Sequence, residues 1–397
     1  MHRLTSLLGM PQHRFASIHV VGTNGKSSVT QMIAALLEAH GVSAGACISP
    51  HLSRWSERVR IGGREIDPDA FAAAVERTAE SAAVVDRTLE DGEAVTQFEV
   101  AIAAAFVALA AARVRAGVIE AGLGGRLDAT NVIPSKVTVL TSVGLDHTEW
   151  LGDTEVEIAA EKLAVLRSGT TLVAGRLSEP VRALAERVAA ERGATLVAAP
   201  EDPGPDFRLR MAGPFQRRNY ALACAAAEAF LGDLDRERAR AVAAQLTIPG
   251  RLERIGEDPP TFLDAAHNPD GAAALAEALP ALAGDAPVIA CLAVLDDKDA
   301  AGMARSLAPA VSHAVCTTLP PEALAGARPG VRAWDAEELA RLCREAGITA
   351  EVADGAEPAL ARARELARES GGVALATGSH YLLGALWTER QGQSFSR

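Results

Sequence analysis

A glycine-rich segment near the N-terminus has the residue types that a phosphate site needs. Gly22-Thr23-Asn24-Gly25-Lys26-Ser27-Ser28 follows an apolar run at residues 18–21 and precedes apolar residues at helical spacing. Glycines let successive backbone N–H groups face an anion, and a helix N-terminus adds partial positive charge. Lys26 can reach nucleotide phosphates and the Ser27 hydroxyl can bind Mg²⁺, so the pattern predicts a nucleotide phosphate loop. Val20 stands where the strict GxxxxGK[ST] pattern has glycine, so an ordinary glycine turn is the alternative.

Two further apolar runs end in ionisable residues. Val118-Ile119 leads into Glu120, and the run at 137–143 leads into Gly144-Leu145-Asp146-His147. Open α/β sheets bind ligands at the C-terminal ends of their strands, which makes both segments candidate site residues. A buried glutamate is costly unless it is paired or binds metal, and Mg²⁺ prefers carboxylate and phosphate oxygens, so Glu120 is a candidate ligand. Residue type alone favours a hydrogen-bonded structural role for His147, because Mg²⁺ prefers oxygen to nitrogen.

Elements that could position these residues follow from the alternation of short apolar runs with longer Ala/Leu-rich helical stretches. This alternation predicts an α/β fold with a mostly parallel sheet. We predict a phosphate-loop ATPase domain over residues 1–250 and a smaller Rossmann-like α/β domain over 251–397, joined at Pro249-Gly250-Arg251. In the second domain, strands are expected at 262–264, 288–295, 314–317 and 373–377, and residues 391–397 are expected to form a frayed tail.

Bulk composition narrows the class of protein further. The 397 residues include 39 Lys and Arg against 51 Asp and Glu, a net charge of −12. Such a chain is a poor candidate for a general nucleic-acid or acidic-membrane binder, and we expect neither partner. The five cysteines show no CxxC spacing, which favours free thiols in a reducing compartment. With no apolar secretory signal or uninterrupted apolar span in the sequence, we expect a cytoplasmic protein, and we expect it to be a monomer.

The ATP loop of the Mur ligase superfamily resembles the segment His19-Val20-Val21-Gly22-Thr23-Asn24-Gly25-Lys26 of this chain. The residues of this segment are most similar to those of the folate branch of the superfamily, the folylpolyglutamate and dihydrofolate synthases. That branch usually has glycine where this chain has Ser27. Further segments resemble motifs of the same branch, in the same order along the chain: Ser49-Pro50-His51-Leu52, Thr96-Gln97-Phe98-Glu99, residues 120–131, residues 144–152, Glu161-Lys162, residues 213–219, residues 249–253, residues 264–269, Asp297-Lys298-Asp299 and residues 377–382.

The resemblance implies ATP as co-substrate and two Mg²⁺ ions in the first domain. ATP would be bound by the phosphate-loop residues Gly22, Thr23, Asn24, Gly25, Lys26, Ser27 and Ser28, with Asn219 at the nucleotide. Metal ligands would be Ser27, Ser49, Glu120 and His147, and a carbamylated Lys162 would bind the second Mg²⁺. Without the resemblance, Ser49 would be read as a turn or helix-cap residue and Lys162 as a surface lysine.

The folate end of the acceptor is assigned by resemblance to Thr96, Leu127, Asp128 and Ala129. A carboxylate suits a pterin, because the amino and ring N–H groups can pair with both oxygens. The alternative for Asp128 is a turn or cap aspartate. The alternative for Thr96 is a helix N-cap, and both of its roles can hold at once.

In the second domain the resemblance assigns ATP contacts to Arg251, Asp264, His267 and Asn268. Alanine at position 265 replaces the glycine that is usual beside the matching aspartate. A planar, permanently charged arginine suits phosphate, and Arg251 in the connector is expected to couple domain closure to ATP.

Together these matches imply an ATP-dependent ligase that adds L-glutamate to dihydropteroate, to reduced folates, or to both, through an acyl phosphate. Lys26, Glu120, His147 and Lys162 are the expected catalytic residues. Folylpolyglutamate synthesis alone is one alternative, because the family's N-terminal pterin loop, which precedes the segment matching Leu7-Leu8-Gly9, is expected to be missing. Another Mur-type amino-acid ligase is a second alternative. A nucleotide-binding regulatory protein, the third, would not need Glu120, His147 and Lys162 together.

Overall fold

The computed structural model describes residues 1–324 and 330–394. Its chain contacts divide it into two compact units, Met1–Leu209 with Arg217–Leu246, and Arg210–Gln216 with Thr247–Arg397. None of the helices in the described ranges is both long and apolar enough to cross a membrane.

The first unit is built on an eight-stranded sheet. Its strands are β1 (Ala16–Val21), β2 (Ala44–Cys47), β3 (Val59–Ile61), β4 (Arg64–Glu65), β5 (Ala116–Glu120), β6 (Ser135–Leu140), β7 (Thr171–Ala174) and β8 (Thr195–Ala198). The order across the sheet is β4-β3-β2-β5-β1-β6-β7-β8. Within the described part of the chain, the antiparallel pairs of this sheet are β2–β3 and β3–β4. The turn between β3 and β4 lies at Gly62-Gly63, as the alternating apolar residues before it predict.

Helices connect these strands and pack on the sheet. They are α1 (His2–Leu7), α2 (Lys26–Ala39), α3 (Pro68–Asp86), α4 (Gln97–Ala111), α5 (Thr148–Leu151), α6 (Glu155–Leu163), α7 (Glu179–Glu191), α8 (Pro214–Leu231) and α9 (Arg236–Gln245). Several begin at side-chain caps. Asp67 caps α3, and Thr154 with Glu157 forms a capping box at α6.

The second unit contains a six-stranded sheet with order β13-β12-β11-β14-β10-β9. Its strands are β9 (Arg251–Glu257), β10 (Pro260–Asp264), β11 (Val288–Leu292), β12 (His313–Cys316), β13 (Thr349–Val352) and β14 (Val373–Thr377). Its helices are α10 (Pro269–Ala283), α11 (Ala300–Leu307), α12 (Ala336–Glu345), α13 (Ala356–Ser370) and α14 (His380–Ser394). Among these six strands of the described ranges, β9 and β10 form the one antiparallel pair, and a single antiparallel bridge joins Leu295 to Ala333 outside them. Two mostly parallel α/β sheets therefore confirm the predicted fold class.

Some predicted element ends differ from the observed ones. The strand expected over 137–143 ends at Leu140, because the next residues turn away to bond the phosphate loop. The strand expected over 288–295 ends at Leu292. The expected frayed tail is wrong for residues 391–394, which continue α14, and residues 395–397 lie outside the described range.

Candidate active site

The phosphate loop leaves β1 at the centre of the first sheet and is fastened to the segment that follows β6. Thr23 donates its backbone N–H to the Ser142 carbonyl at 2.8 Å, and the Asn24 N–H donates to Ser142 Oγ at 3.0 Å. Thr141 Oγ1 donates to the Asn24 carbonyl at 2.6 Å. The loop therefore has a fixed conformation that depends on two hydroxyl side chains of a neighbouring strand end.

Two glycines of this loop are required by its geometry. Gly22 has φ +150°, and a Cβ there would lie 1.9 Å from Thr141 Oγ1. Gly25 has φ +83°, and a Cβ there would lie 2.7 Å from Asn219 Oδ1 on α8. The structure thus places Asn219, a predicted nucleotide contact, directly beside the loop at the start of α2.

Two lysines share one backbone oxygen in this loop. Lys26 Nζ donates to the Gly22 carbonyl at 3.1 Å and to the Thr23 carbonyl at 3.0 Å. Lys162 Nζ, on α6, donates to the same Gly22 carbonyl at 3.0 Å. Lys162 is only 4% exposed, so the alternative of a surface lysine is wrong.

Burial changes the protonation of Lys162. Desolvation, and then the positive charge of Lys26, lower the pKa of Lys162 to about 7, against the weaker opposing effects of Asp146 and Asp128. A buried amine with such a pKa is partly neutral near pH 7 and is therefore nucleophilic. Its position brings this amine to the Gly22 end of the phosphate loop.

Glu120 ends β5 beside the phosphate loop, because β1 and β5 are neighbours in register, with Val20 opposite Glu120. The Glu120 carboxylate is buried, and Oε1 accepts a hydrogen bond from Ser27 Oγ at 2.9 Å. Glu120 Oε2 accepts the backbone N–H of Ser49 at 3.0 Å, and Ser27 Oγ lies 3.3 Å from the Ser49 carbonyl. One buried carboxylate, two serines and the phosphate loop therefore come together.

This group fits a magnesium-type ion. The donors are all oxygens, and such an ion usually takes few protein ligands and completes its shell with water and substrate phosphate. Within residues 1–324 and 330–394, no cluster of three or more His, Cys, Asp or Glu residues could hold a metal ion. A bound cation at Glu120 would therefore depend on serine oxygens and on the nucleotide.

His147 lies at the end of the segment after β6, where it precedes α5 with a left-handed φ of +54°. Its Nε2 lies 3.8 Å from Asp146 Oδ1. Asp146 belongs to the motif at residues 144–152, but the sequence assigned it no role. In the structure, its negative charge raises the pKa of Lys162 and so opposes the larger effect of burial.

The predicted folate residues lie in and beside the loop that follows Glu120. Leu127 is 85% exposed, and Ala129 begins a short 3₁₀ helix, Ala129–Val132, capped by Asp128. A Cβ at Gly122 would lie 2.4 Å from Phe98 Cζ, so the start of α4 packs against this loop. Thr96 is the exposed N-cap of α4 and forms a capping box with Glu99.

Asp128 is already fully engaged by its own loop. Its Oδ2 accepts the N–H groups of Gly122 at 3.0 Å and Leu123 at 2.9 Å. Its Oδ1 accepts both the N–H and the hydroxyl of Thr130. These four hydrogen bonds match the acceptor capacity of a carboxylate. The cap role of Asp128 is therefore observed, while its contact with a pterin stays a prediction.

The second unit presents its own group of predicted site residues. Asp264 ends β10 and accepts the N–H groups of Leu252 and Ala266, each at 2.9 Å. Burial raises the pKa of Asp264 to about 6, against the opposing charge of Arg251 and these hydrogen bonds. Asn268 caps α10 by accepting the Gly271 N–H, and His267 Nδ1 lies 3.0 Å from the Ala265 carbonyl. Their contacts with ATP stay predictions.

Three contributors to the site were missed from the sequence. Thr141 and Ser142 hold the phosphate loop, and His19 bonds Thr130 at 2.8 Å. The polar residues Thr141-Ser142 at the end of an apolar run were a usable signal, since open α/β sheets bind ligands at the C-terminal ends of their strands. His19 inside an apolar run was a second signal.

Two matches to known domains agree with this geometry. Residues 20–173 match the Mur ligase middle domain, and residues 250–380 match the Mur ligase glutamate ligase domain. The fold and the site accordingly define an ATP-dependent ligase of the Mur type.

Comparison with single proteins narrows this class. The dihydrofolate synthase/folylpolyglutamate synthase of Mycobacterium tuberculosis is 37% identical over 352 residues, which cover 79% of this chain and 72% of that protein. A structure of Mycobacterium tuberculosis folylpolyglutamate synthase complexed with ADP superposes with a TM-score of 0.89 at 33% identity, covering 98% of this chain and 93% of that one. The chain belongs to the dihydrofolate synthase/folylpolyglutamate synthase family of Mur ligases.

Two further structures show ligands of such proteins. Escherichia coli FolC in complex with DHPP and ADP has a TM-score of 0.83 at 27% identity, covering 98% of this chain and 93% of that one. A bifunctional folylpolyglutamate synthase/dihydrofolate synthase with Mn, AMPPNP and L-glutamate bound has a TM-score of 0.81 at 27% identity, with coverages of 98% and 94%.

Proposed function

We propose that this chain joins L-glutamate to dihydropteroate, to reduced folates, or to both, at the site formed by the phosphate loop and Glu120. The observation that carries the proposal is the buried Glu120 carboxylate held 2.9 Å from Ser27 Oγ of the phosphate loop. A buried carboxylate at this place is costly without a compensating cation, and a nucleotide-bound divalent ion supplies one. The ligands of the related structures, ADP, DHPP, L-glutamate and Mn, are the same classes of molecule.

The reaction proceeds in two transfers. The γ-phosphoryl group of ATP passes to a carboxylate oxygen of the acceptor, which gives an acyl phosphate and ADP. The amino group of glutamate then attacks the acyl carbon, the C–O bond to phosphate breaks, and the nitrogen loses a proton as the amide forms. Such chemistry needs positioned anions and neutralised charge more than it needs a protein nucleophile.

Lys26 and the N-terminus of α2 act on the transferring phosphoryl group. The loop N–H groups of Thr23 and Asn24 donate to Ser142, and α2 starts at Lys26, so the partial positive charge of its N-terminus is what favours the anion here. When phosphate arrives, the Lys26 ammonium exchanges its two carbonyl partners for phosphate oxygens. Its charge then offsets the charge that develops on the phosphoryl oxygens.

Ser27, Ser49 and Glu120 would hold a divalent cation, and His147, Glu120 and carbamylated Lys162 would hold a second. Bound Mg²⁺ supplies charge neutralisation for the phosphate oxygens and the acceptor carboxylate. Within the protein, Glu120 orients both serines, since it accepts from the Ser27 hydroxyl and from the Ser49 N–H.

Carbamylation of Lys162 is supported by its burial and its lowered pKa, about 7. The neutral amine attacks the carbon of CO₂, loses a proton, and becomes an anion in place of a cation. The test is ¹³C NMR of the protein in ¹³C-bicarbonate, where a carbamate carbonyl signal should appear and should vanish in Lys162→Met. In Lys162→Ala, short carboxylic acids should restore part of the lost ligase activity. Full activity of the unrescued variant would contradict the role.

The folate end is proposed to rest on Thr96, Leu127, Asp128 and Ala129. Exposed Leu127 offers an apolar surface, and the packing of α4 against Gly122 brings the Thr96 segment to the same loop. Because Asp128 already accepts four hydrogen bonds, a pterin N–H must replace one of these donors.

The nucleotide contacts of Asn219, Arg251, Asp264, His267 and Asn268 belong to the same proposal, as does the functional division of the chain at residue 250. We further propose that the protein acts as a cytoplasmic monomer. Light scattering of the purified chain, whose mass is 41.2 kDa, tests the monomer, and a doubled mass would contradict it.

The deciding experiment measures ADP release by the purified chain with MgATP and L-glutamate, using dihydropteroate or tetrahydrofolate as acceptor, with the mass of each product. We expect glutamate-dependent turnover and a product heavier by one glutamate residue. Turnover with tetrahydrofolate alone would assign folylpolyglutamate synthesis only. Absence of turnover with both acceptors, together with turnover on a UDP-linked muramyl acceptor, would overturn the folate assignment.

A further inference from the structure

A buried imidazole in β1 has no part in the mechanism described above. His19 is fully buried, and its Nε2 lies 2.8 Å from Thr130 Oγ1. Its Nδ1 has no hydrogen-bond partner within the described part of the chain. Burial, and then the charge of Arg167, lower the pKa of His19 to about 3, so the ring is neutral at physiological pH.

The hydrogen bonds around Thr130 fix the direction of this contact. The Thr130 hydroxyl has one proton, and it donates that proton to Asp128 Oδ1, which as a carboxylate oxygen can only accept. Toward His19 the hydroxyl must therefore accept. The neutral ring consequently carries its proton on Nε2 and donates it to Thr130.

The chain of contacts continues from Asp128 to the loop backbone. Asp128 Oδ2 accepts the N–H groups of Gly122 and Leu123, the second and third residues after Glu120. Three side chains in series, those of His19, Thr130 and Asp128, thus join a strand of the sheet to the turn that follows the metal-binding carboxylate.

The starting point of this series is set by the sheet. His19 pairs with Ile119 in the β1–β5 ladder, one residue before the pair of Val20 and Glu120. The same strand, β1, continues into the phosphate loop three residues later. The imidazole therefore connects the strand that carries the ATP loop with the loop that follows β5.

We propose that His19 is a positioning residue that holds the 122–130 loop, through Thr130 and Asp128, in the conformation that receives the folate acceptor. The inference rests on the proposed function, because the folate role of this loop belongs to that proposal. The proposal predicts that loss of the His19 imidazole, which donates a proton to Thr130, weakens binding of the folate acceptor and leaves ATP binding unchanged.

Steady-state kinetics, with acceptor and ATP titrated separately, test whether the change affects the KM for the acceptor and not the KM for ATP. In His19→Leu and Thr130→Val the acceptor KM should rise about tenfold, the effect of losing one buried hydrogen bond, while the KM for ATP stays at the wild-type value. Thr130→Ser keeps the hydroxyl and should restore the wild-type acceptor KM. Equal changes in both KM values, or a Thr130→Ser variant as impaired as Thr130→Val, would overturn the proposal.

Thr138→Val is the matched control. Thr138 is buried, pairs with His19 in the β1–β6 ladder, and its hydroxyl has no hydrogen-bond partner within the described residues. Removing this hydroxyl changes the same region of the core without touching the series. An acceptor KM raised in Thr138→Val as much as in Thr130→Val would mean that the effect is general core disturbance, and the proposal would fail.

A spectroscopic measurement tests the series without any turnover. In ¹⁵N-histidine-labelled wild-type protein, long-range ¹H–¹⁵N correlation should show His19 as the Nε2–H tautomer, with the signal assigned by its loss in His19→Gln. An Nδ1–H tautomer or a charged ring would overturn the inference. If the wild-type protein lacks folate-dependent ADP release but His19 is the Nε2–H tautomer, the proposed function fails and takes the folate role of the loop with it, while the contacts among His19, Thr130 and Asp128 stand.

Discussion

At the scale of single residues, the first unit contains ionisable groups in places where a charge is unfavourable without a partner. Glu120 and Lys162 are both buried, and both lie beside the phosphate loop. Glu120 accepts hydrogen bonds from Ser27 and Ser49, and Lys162 donates one to the Gly22 carbonyl. Under the proposed function, a bound cation adds an opposite charge beside the carboxylate, and CO₂ converts the amine to a carbamate. Substituting such residues should therefore change ligand requirements more than it changes folding.

Replacing the Glu120 carboxylate by an amide should reduce glutamate-dependent ADP release by roughly 100-fold or more, because a neutral group cannot stabilise the divalent cation. Glu120→Gln should also need more Mg²⁺ for half-maximal activity. The measurement is turnover across a Mg²⁺ titration, with circular dichroism to verify the fold. Glu161→Gln is the control, since Glu161 pairs with Arg126 and has no assigned ligand. Wild-type turnover in Glu120→Gln would refute the metal assignment.

Lys162 should make stability depend on pH in the alkaline range. Its folded pKa is about 7 against an ordinary value of 10.5, so between these values the unfolded chain binds more protons. Stability should therefore rise with pH in this window, by about 1.4 kcal/mol for each pH unit from this group. Denaturant unfolding of Lys162→Met should lack this slope, while Lys136→Met, at an exposed lysine, should keep it. Parallel curves for wild type and Lys162→Met would contradict the prediction.

At the scale of elements, the phosphate loop requires glycine at positions 22 and 25, because neighbouring segments leave no room there for a side chain. Gly25→Ala should weaken ADP binding by about tenfold or more, because the new Cβ forces the Asn219 carboxamide away from the loop. Gly41→Ala is a close control: φ is +78° there against +83° at Gly25, and nothing lies within 4 Å of the new Cβ. Calorimetric titration with MgADP compares them. Similar ADP affinities in the two variants would show that the Asn219 contact is unimportant.

The elements themselves were largely predictable from the sequence, and so were the positions of the site residues on them. Apolar periodicity and the glycine turn placed β1, the phosphate loop and α2, because these signals are local. The end of β6 was predicted too late, because Thr141 and Ser142 bond the phosphate loop, and the partner of the Thr141 hydroxyl is 117 residues away in sequence. The burial of Lys162 and the four acceptor bonds of Asp128 depend on similar long-range packing, which no local pattern contains.

At the scale of the whole molecule, one buried group in each unit contributes a pH dependence of stability, and the two contributions have opposite signs. Asp264 in the second unit has a pKa raised to about 6, so between about 4 and 6 the folded state binds more protons than the unfolded chain. Its contribution to stability therefore falls as pH rises through that window. Lys162 in the first unit contributes a rise at higher pH. Two compact units can unfold in separate transitions.

Asp264→Asn should remove the decrease in stability that the Asp264 carboxyl group causes in the second unit as pH rises from about 4 to about 6. Relative to the variant, wild type should lose about 1.4 kcal/mol for each pH unit between about pH 4 and pH 6. Calorimetric scans across this range measure the difference, with Asp354→Asn, at an exposed aspartate of the same unit, as control. A wild-type protein that gains stability over the variant as pH rises would show that the charge of Asp264 is stabilised by its partners.

The Gly22 carbonyl accepts hydrogen bonds from the ammonium groups of both Lys26 and Lys162. This shared oxygen places Lys26 next to Lys162, so nucleotide binding and the protonation of Lys162 are coupled. A triphosphate that draws Lys26 away removes a repelling charge from Lys162 and adds attracting ones, so it raises the affinity of that amine for a proton. Thermodynamic reciprocity then requires the protonation of Lys162 to alter the affinity for nucleotide by the same factor.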